Sequence, residues 1–355
     1  MAYTNIDDPS AYFQTATYTG NLVNGHSITN DGNSDLQPDL TWIKARNSST
    51  YNHIWVDSSR GNNLVINSNN TNAEANIGVS VVTPSTDGFS LADWSHINYT
   101  GVTYAAWQWK ANAGSTSSNT DGSITSTVQT NSNAGFSIVT YTGNSTSGAT
   151  FGHGLGVAPS MVIVKKRSAT PLADNWGVWH QGLTSAAYYL LLNSTAAQAN
   201  SWNIWNSTAP SSSLVTLGND STGNYNGQPY VAYCFAEKQG YSKFGKYTGN
   251  GNANGTFVYT GFKPAFIMIK RIDSISNWTI WDSKRDPFNY GERTLFPNLN
   301  NAEESGNVNE QWDLLSNGFK FRSDGRNTAS GGTYIYIAFA ENPFVTSTGI
   351  PTTAR

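Results

Sequence analysis

The chain has 355 residues, with 20 Lys and Arg against 23 Asp and Glu, so its formal net charge is −3. Charged residues make up 12% of the chain, about half of the usual share, whereas aromatic residues make up 13%. The chain lacks a basic stripe for nucleic acid and an apolar run of about 18 residues for a membrane span, and it has too many aromatic residues for a disordered protein. Because 41 residues are Asn, we expect a surface that is polar but almost uncharged.

Two further classes of protein are excluded by what the sequence lacks. Residues 1–14 have neither a basic region nor an apolar stretch, so no signal peptide is predicted. The single cysteine, Cys234, cannot form an internal disulfide, which excludes a disulfide-stabilised scaffold and a cysteine-based zinc site. Cys234 lies in an apolar run and is predicted to pack as a small hydrophobic residue.

One pattern occurs three times along the chain. It begins with Tyr-Thr-Gly-Asn at residues 18–21, 141–144 and 247–250. A proline and an apolar run follow, and a lysine lies six residues after each proline, at Lys44, Lys165 and Lys270. Each copy ends on a Tyr-rich apolar run, at 103–109, 229–237 and 333–341. The copies are too long for solenoid units and long enough to bury cores of their own, so we predict three tandem domains.

The predicted domain boundaries follow from these repeats. They are an N-terminal segment (1–9), repeat 1 (10–112), a linker rich in Ser, Thr, Asn and Gly (113–133), repeat 2 (134–238), repeat 3 (239–344) and a C-terminal tail (345–355). Repeats 2 and 3 follow each other almost without a spacer. The flexible joint is therefore expected at 113–133, where limited proteolysis would cut first, within 114–133.

Each repeat is predicted to consist of β-strands with at most a short helix. Short runs such as 161–165 and 266–270 are rich in β-branched or apolar residues and are bounded by a proline and a base, which is typical of buried strands. Gly-Asn, Asp-Gly and Asn-Gly pairs between the runs indicate turns. The fold class is thus all-β, with three tandem β-sandwich repeats.

The repeated residues have structural interpretations. A tryptophan after a branched apolar residue recurs at Trp55, Trp179 and Trp281, and we expect these three side chains in the cores. The repeated lysine could bind an anion, but we favour an aliphatic stem along the sheet and a solvated amine. In Tyr-Thr-Gly-Asn, the glycine is expected to supply a positive φ and the asparagine to bond to nearby backbone.

No catalytic, metal or cofactor site is assigned from the sequence. No acid pair suited to glycoside hydrolysis persists through the three copies, and the histidines show no metal-binding spacing. Asn30–Asp35 could hold calcium through oxygen ligands, although the complete ligand loop is lacking. We therefore expect a protein that is not an enzyme and needs no cofactor.

Several aromatic residues do not recur between the copies and are candidate glycan-binding residues. Aromatic rings among Asn, Ser and Asp side chains can hold a sugar by stacking and hydrogen bonding; the alternative is that these rings pack between domains or subunits. The candidates are Trp94, Trp176, Trp202, Tyr225, Tyr290 and Trp312.

The motifs together resemble a repeated lectin-like, concanavalin-type sandwich domain of marine tailed bacteriophages. The phrases 135–144, 240–250 and 338–343 carry the resemblance most clearly, and the match covers about residues 10–344. Repeat 2 departs from the pattern, since His180 and Gln181 follow Trp179 where the family has Asp and a downstream Arg. The resemblance implies that the sandwich repeats are of jelly-roll or lectin-like type. It also implies a virion or fibre-like structural protein that assembles in the host cytoplasm.

We therefore expect a non-enzymatic protein of the virion surface, in a tail fibre, a tail-associated position or a head decoration. Its expected partners are other virion proteins, further copies of itself in a trimer, and host surface polysaccharide, but neither nucleic acid nor membrane. Residues 7–12 are a candidate particle anchor. A dedicated carbohydrate-binding adhesin is the alternative, and a glycan depolymerase is a third hypothesis.

Overall fold

The computed structural model describes residues 3–169 and 175–352. Residues 1–2 and 353–355, at the ends of the expected N-terminal segment and C-terminal tail, lie outside the described residues. Repeat 1 follows a short 3₁₀ helix, Pro9–Ala11, and contains β1 (Phe13–Thr19), β2 (His26–Ile28), β3 (Leu40–Ala45), β4 (Ile54–Asp57), β5 (Leu64–Asn67), β6 (Ala75–Asn76), β7 (Val82–Pro84), β8 (Phe89–Leu91), α1 (Ser95–Asn98) and β9 (Thr103–Trp109).

Repeats 2 and 3 have the same order of principal strands. Repeat 2 contains β10 (Ser117–Asn119), β11 (Ser126–Asn131), β12 (Phe136–Thr142), β13 (Thr150–Gly152), β14 (Met161–Lys166), β15 (Trp176–His180), β16 (Tyr188–Leu191), β17 (Ala199–Asn200), α2 (Trp202–Trp205), β18 (Leu214–Thr216), α3 (Ser221–Asn224) and β19 (Pro229–Phe235). Repeat 3 contains β20 (Ser242–Thr248), β21 (Phe257–Tyr259), β22 (Phe262–Arg271), β23 (Trp278–Asp282), β24 (Trp312–Leu315), β25 (Gly318–Phe321) and β26 (Thr333–Pro343). None of the described helices is long and apolar enough to cross a membrane.

Each repeat is built from a large and a small antiparallel sheet, so the expected all-β class is confirmed. The large sheets have the orders β1-β9-β3-β4-β5-β6, β10-β11-β12-β19-β14-β15-β16-β17 and β20-β26-β22-β23. The small sheets have the orders β2-β8-β7, β13-β18 and β21-β25-β24. The Tyr-rich run that closes each repeat forms the inner strand of its large sheet, which is why nearly all of its residues are apolar.

The large sheets of all three repeats bury their inner faces in one shared core. Trp109, Phe235 and Phe339 occupy the same register position in β9, β19 and β26. Their ring centroids lie 5.6, 5.9 and 6.2 Å apart in pairs. Three equivalent residues can contact one another in this way only when the repeats surround a common axis. The outer faces pack on the small sheets in three separate cores, one in each repeat.

The repeats form a closed ring, since each one bonds to the next through the residue that ends its β4, β15 or β23 strand. The three contacts are Tyr233 Oη to Asp57 Oδ2 (2.7 Å, repeats 2 and 1), Trp107 Nε1 to Asp282 Oδ2 (3.0 Å, repeats 1 and 3), and His180 Nε2 to the Tyr336 carbonyl (3.2 Å, repeats 2 and 3). The histidine by which repeat 2 departs from the family pattern is thus the contact residue of the third interface.

Two of the three interfaces contain a buried ionic network. In repeat 1, Arg60 lies 2.5 Å from Asp57 and 2.8 Å from Glu74, and Glu74 also pairs with Arg167 of repeat 2 at 2.9 Å. The same network between repeats 3 and 1 consists of Asp282, Arg285, Glu303 and Arg46. At the third interface, the corresponding residues are His180, Leu183, Gln198 and Ile272. The charged groups are therefore replaced together, which leaves none of them buried and unpaired.

The prediction of a flexible linker at 113–133 was wrong. Residues 117–119 and 126–131 form β10 and β11, which extend the large sheet of repeat 2. The carboxylate of Asp39 accepts hydrogen bonds from the backbone N–H groups of Ala111, Ala113 and Gly114 and so fixes the start of this segment. Residues 113–133 are therefore part of the sheet of repeat 2 and not a linker.

Candidate functional site

The repeated tryptophans and lysines are buried parts of the ring. Trp55, Trp179 and Trp281 are all buried, but Trp55 faces the shared core whereas the other two face the outer cores. In the strand register, Trp55 corresponds to Val178, one residue before Trp179. The prediction that the three tryptophans occupy equivalent positions was therefore wrong. A shift of one residue along a strand reverses the face of the side chain.

The prediction that the repeated lysines hold their amines in solvent was wrong. Lys44 Nζ donates to three backbone carbonyls, those of Ala45, Ser48 and Tyr51, at 2.8–3.1 Å. Lys270 Nζ reaches across an interface to the carbonyl of Thr195 in repeat 2, at 2.9 Å. Burial lowers the pKa of Lys44 to about 8 and that of Lys270 to about 7. These amines stabilise loops at one end of the ring and are not accessible to an anion.

Two of the six candidate glycan-binding residues cannot stack on a sugar, because their rings are fully buried. Trp176 lies in β15, where its Nε1 donates to the carbonyl of Asn67 in repeat 1 at 2.8 Å. Trp312 lies in β24 and stacks on Trp281 with ring centroids 5.0 Å apart. For these two residues the alternative interpretation, packing within and between the repeats, describes the structure.

The other four candidates lie at the surface but do not form one site. Trp202 in α2, Tyr225 after α3 and Tyr290 after β23 expose 53%, 39% and 56% of their surface, and Trp94 before α1 is half-buried. They belong to all three repeats and to different loops. Each of these surfaces is therefore a separate candidate site.

Trp94 belongs to a cluster of four aromatic side chains on repeat 1, which we call the aromatic patch: Tyr51, Trp94, His96 and Tyr99. The rings of Trp94 and His96 stack at 4.4 Å, and Tyr51 lies 5.6 Å from His96 and 6.3 Å from Tyr99. Tyr51 and Trp94 also pack against the outer core of repeat 1. The patch is thus a continuous surface of rings that is supported by the outer core.

The local fold explains why these rings come together. Tyr104 of β9 accepts a hydrogen bond from the backbone N–H of Tyr99 at 3.0 Å and donates one to the carbonyl of Ser95 at 3.2 Å. These two bonds hold both ends of α1, which carries His96, against the sheet. Tyr51 is supplied by the loop between β3 and β4.

The aromatic patch is uncharged and has amides beside it. Burial lowers the pKa of His96 below its ordinary value, which favours the neutral ring. In the described part of the chain, its Nδ1 is buried without a hydrogen-bond partner. Asn52 and Asn69 lie at the same end of repeat 1, where their side chains are bonded to each other at 2.7 Å. Such a surface is suited to stacking on the apolar face of a sugar ring.

Repeat 2 has a related surface at the corresponding position. Tyr225 follows Asn224 as Tyr99 follows Asn98, and the hydroxyl of Tyr230 accepts a hydrogen bond from its backbone N–H at 2.8 Å. Lys166 Nζ lies 5.6 Å from the ring centre of Tyr225. Sequence reasoning identified Tyr225 but missed Tyr51, His96 and Tyr99; the repeated Asn-Tyr pair was the signal that could have shown Tyr99.

The acidic stretch considered for calcium is engaged in protein contacts. The side chain of Asn30 is bonded to Leu36 and Gln108, and Asp31 pairs with Lys284 of repeat 3. Among residues 3–169 and 175–352, no group of three or more His, Cys, Asp or Glu side chains is arranged to hold a metal ion. Cys234 is buried in the outer core of repeat 2.

The fold and these surfaces define an all-β protein in which three sandwich repeats surround one core. Residues 8–343 match the family described as Domain of unknown function (DUF7483), and the chain therefore belongs to that family. The match runs through all three repeats as a single stretch. Comparisons with curated proteins and with solved structures gave no match.

Proposed function

We propose that this protein is a non-enzymatic component of a bacteriophage virion surface, in a tail fibre, a tail-associated position or a head decoration. The resemblance of its repeated motifs to phage sandwich domains supports this role. The observation that carries the proposal is the closed ring, in which three motif-bearing repeats share one aromatic core. A ring of this kind is a rigid block whose loops and outer faces are available for contacts with neighbouring virion proteins and with the host.

The surface chemistry is consistent with this role. A surface rich in Asn, Ser, Thr and Gly interacts with water through hydrogen bonds, so its properties change little with ionic strength. That suits a particle exposed to seawater.

Trimerisation about a particle axis remains a prediction, and sedimentation equilibrium of the purified protein tests it.

We further propose that the virion protein binds host surface glycan through the aromatic patch. The Trp94–His96 stack and the exposed ring of Tyr99 offer the flat apolar surface that a pyranose ring requires. A dedicated adhesin would use the same surface, together with Trp202 and Tyr225 of repeat 2.

A depolymerase would need two accessible carboxyl groups about 5–10 Å apart. Asp57 and Asp282 do not meet this need, because both are buried against arginine.

Glycan binding is tested by titrating the protein with polysaccharide from the host surface. We expect Trp94→Ala and Tyr99→Ala each to weaken binding about tenfold, the effect of losing one stacking contact. Tyr259→Ala is the matched control, since Tyr259 is an exposed tyrosine of repeat 3 outside the patch. Binding that is absent in the wild type, or equal in all four proteins, would reject the patch as a glycan site.

The virion role is tested separately by immunogold labelling and mild dissociation of purified particles. We expect labelled protein at one structural position, in a fixed number of copies per particle. If the protein is found in infected cells but never on particles, the proposal is wrong.

A further inference from the structure

A cleft of about 440 Å³ lies at the interface between repeats 3 and 1. On one side it is lined by the start of β1, at Phe13–Thr15, and on the other by Lys263, Ser283 and Lys284 of repeat 3. The ring contains three such interfaces. The other two show what fills the corresponding space.

Between repeats 1 and 2 the space is filled by a strand. β11 pairs with β12 so that Gln129 lies opposite Ile138. The buried side chain of Gln129 accepts hydrogen bonds from Ser58 and Ser59 at 3.0 and 2.6 Å, and donates one to Asp39 at 2.6 Å. An extended segment with an amide side chain is therefore the natural occupant of this space.

Between repeats 2 and 3 side chains take the place of the strand. Gln181 Nε2 donates to the carbonyl oxygen of Phe244 at 2.5 Å, and Glu237 Oε2 accepts from the N–H of Phe244 at 3.3 Å. The backbone groups of Phe244 thus point away from β26, towards the interface. Thr15 pairs with Trp107 in repeat 1 at the position where Phe244 pairs with Ile337 in repeat 3. The backbone N–H and C=O of Thr15 therefore also point away from the neighbouring strand, β9, and into the open cleft.

The edge of β1 also lacks the features that protect an exposed strand. Natural edge strands commonly carry lysine, which discourages pairing with other chains. The edge strand β20 has Lys243 and Lys246, whereas Phe13–Thr19 has no charged residue. In addition, Thr15 Oγ1 is buried without a hydrogen-bond partner among the described residues. The edge of β1 is therefore suited to pairing with a further strand.

We propose that the cleft beside β1 binds an extended segment of a partner protein, which joins the large sheet of repeat 1 as an antiparallel strand, as β11 does in repeat 2. The backbone of Thr15 would pair with it, and the side chain opposite Thr15 would enter the cleft between Ser283 and Lys284. This proposal does not depend on glycan binding.

The cleft also indicates which side chain the partner presents there. Ser283 corresponds to Ser58, but Lys284 replaces Ser59 and Ala265 replaces Asp39. The acceptor for an amide N–H₂ group is therefore lost, and a cationic donor is gained. A carboxylate fits these donors better than the amide of Gln129 does, because it accepts from both the hydroxyl and the amine. Lys284 is at present paired with Asp31 at the exposed mouth of the cleft, where a pair contributes little.

The test uses three fluorescein-labelled peptides that copy residues 124–132 of this chain, with Gln, Glu or Lys at the position of Gln129. Fluorescence anisotropy with the full-length protein measures binding. We expect saturable binding in which the Glu peptide binds most tightly and the Lys peptide most weakly. Chemical shift changes at the amides of residues 13–17 would place the peptide on β1.

Two variants and one control decide the result. Thr15→Pro removes the outward N–H without disturbing the pairing with β9, and we expect about tenfold weaker binding of the Glu peptide. Lys284→Glu should reverse the order of the Glu and Lys peptides. Lys246→Pro, which removes an outward N–H from β20, should leave binding unchanged. Circular dichroism checks that each variant is folded, and the Lys284→Glu result stands alone if Thr15→Pro does not fold.

Three outcomes would overturn the proposal. The first is that no peptide binds saturably to the wild type. The second is that neither variant changes the affinity or the order of the peptides. The third is that the protein forms dimers that disappear in Thr15→Pro, which would assign the edge to a second copy of this chain instead of a different partner.

Discussion

The glycine of each Tyr-Thr-Gly-Asn motif lies directly against the backbone of the loop that precedes the last strand of its repeat. A Cβ atom at Gly20, Gly143 or Gly249 would lie 2.4–2.5 Å from the carbonyl oxygen of Tyr99, Tyr225 or Ala329, respectively. None of these glycines has a positive φ, so the expected reason for the glycine was wrong. The asparagine behaves as expected, since Asn144 Oδ1 accepts from the N–H of Thr146 at 2.9 Å.

Substitution of this glycine tests the close approach. We expect Gly143→Ala to lower the free energy of unfolding by about 2–3 kcal/mol, because backbone atoms must move to admit the methyl group. The control is Gly223→Ala, where the added Cβ would meet only Leu217 at 3.5 Å, an ordinary contact. Denaturant unfolding of both variants measures the difference. Equal effects would show that the motif glycine is not needed for packing.

His180 gives the fold a dependence on pH. Its Nδ1 accepts from the N–H of Gly182 at 2.9 Å, and its Nε2 donates to the carbonyl of Tyr336. Burial lowers the pKa of His180 to about 4, below its ordinary value of 6.5. Between these two pH values the unfolded chain binds more protons than the folded one. The contribution of His180 to stability is therefore complete above pH 6.5 and is lost as the pH falls towards 4.

The pH dependence is measured by comparing the wild type with His180→Gln, which keeps a donor for the Tyr336 carbonyl but does not titrate. Between pH 6.5 and 4 the wild type should lose up to about 3 kcal/mol more stability than the variant. Carboxylates titrate in both proteins, so the difference isolates the histidine. Parallel stability curves across this range would contradict a buried neutral His180.

At the scale of strands and interfaces, the sequence predicts apolar contacts better than polar ones. The runs that form β14, β19, β22 and β26 are evident from their apolar residues, and the structure contains a strand at each. β11 was missed because its residues are mostly polar and the buried side chain on its inner face, that of Gln129, is held by hydrogen bonds. A sequence pattern does not show which polar residues have partners.

The ionic networks also lie beyond what the repeats alone reveal. Arg60 and Glu74 are 14 residues apart, and their link to Arg167 joins two repeats. Repeat 2 lacks the Asp and Arg of the pattern. In the ring this change is balanced by Ile272 and Ile337 of repeat 3, which occupy the positions of Arg167 and Tyr233.

Removal of one charge from a network should be costly. In Arg60→Leu, Asp57 and Glu74 remain buried without their shared partner, and we expect a loss of about 3–5 kcal/mol of stability. Arg322→Leu is the control, because Arg322 pairs with Asp313 but leaves 42% of its side chain exposed. The control should cost about 1 kcal/mol or less. Unfolding by denaturant at pH 7 distinguishes these values, and a loss in Arg60→Leu as small as that expected of the control would show that the network contributes little to stability.

For the whole molecule, the number of repeats and their class follow from the sequence, but their assembly does not. Internal similarity and turn spacing show three sandwiches. The shared core requires knowing which face of each strand points to the axis, and Trp55 shows how a shift of one residue reverses that face. The aromatic patch was not predictable for a similar reason. Tyr51 and Trp94 are distant in sequence and meet only through the pairing of β3 with β9.

The shared core predicts that the three repeats unfold together. Trp55 of repeat 1 packs on Trp176 and Tyr233 of repeat 2 at 5.2 and 5.0 Å, so removal of repeat 1 would expose large apolar surfaces. Calorimetry of the full chain should show one transition whose calorimetric and van't Hoff enthalpies agree. The fragment 113–355, which keeps β10 and β11 in repeat 2, should lack a sharp transition, and proteolysis of the full chain should not begin within 114–133, where these two strands are paired. Two separate transitions, or a stable fragment of repeats 2 and 3, would mean that the repeats are independent domains after all.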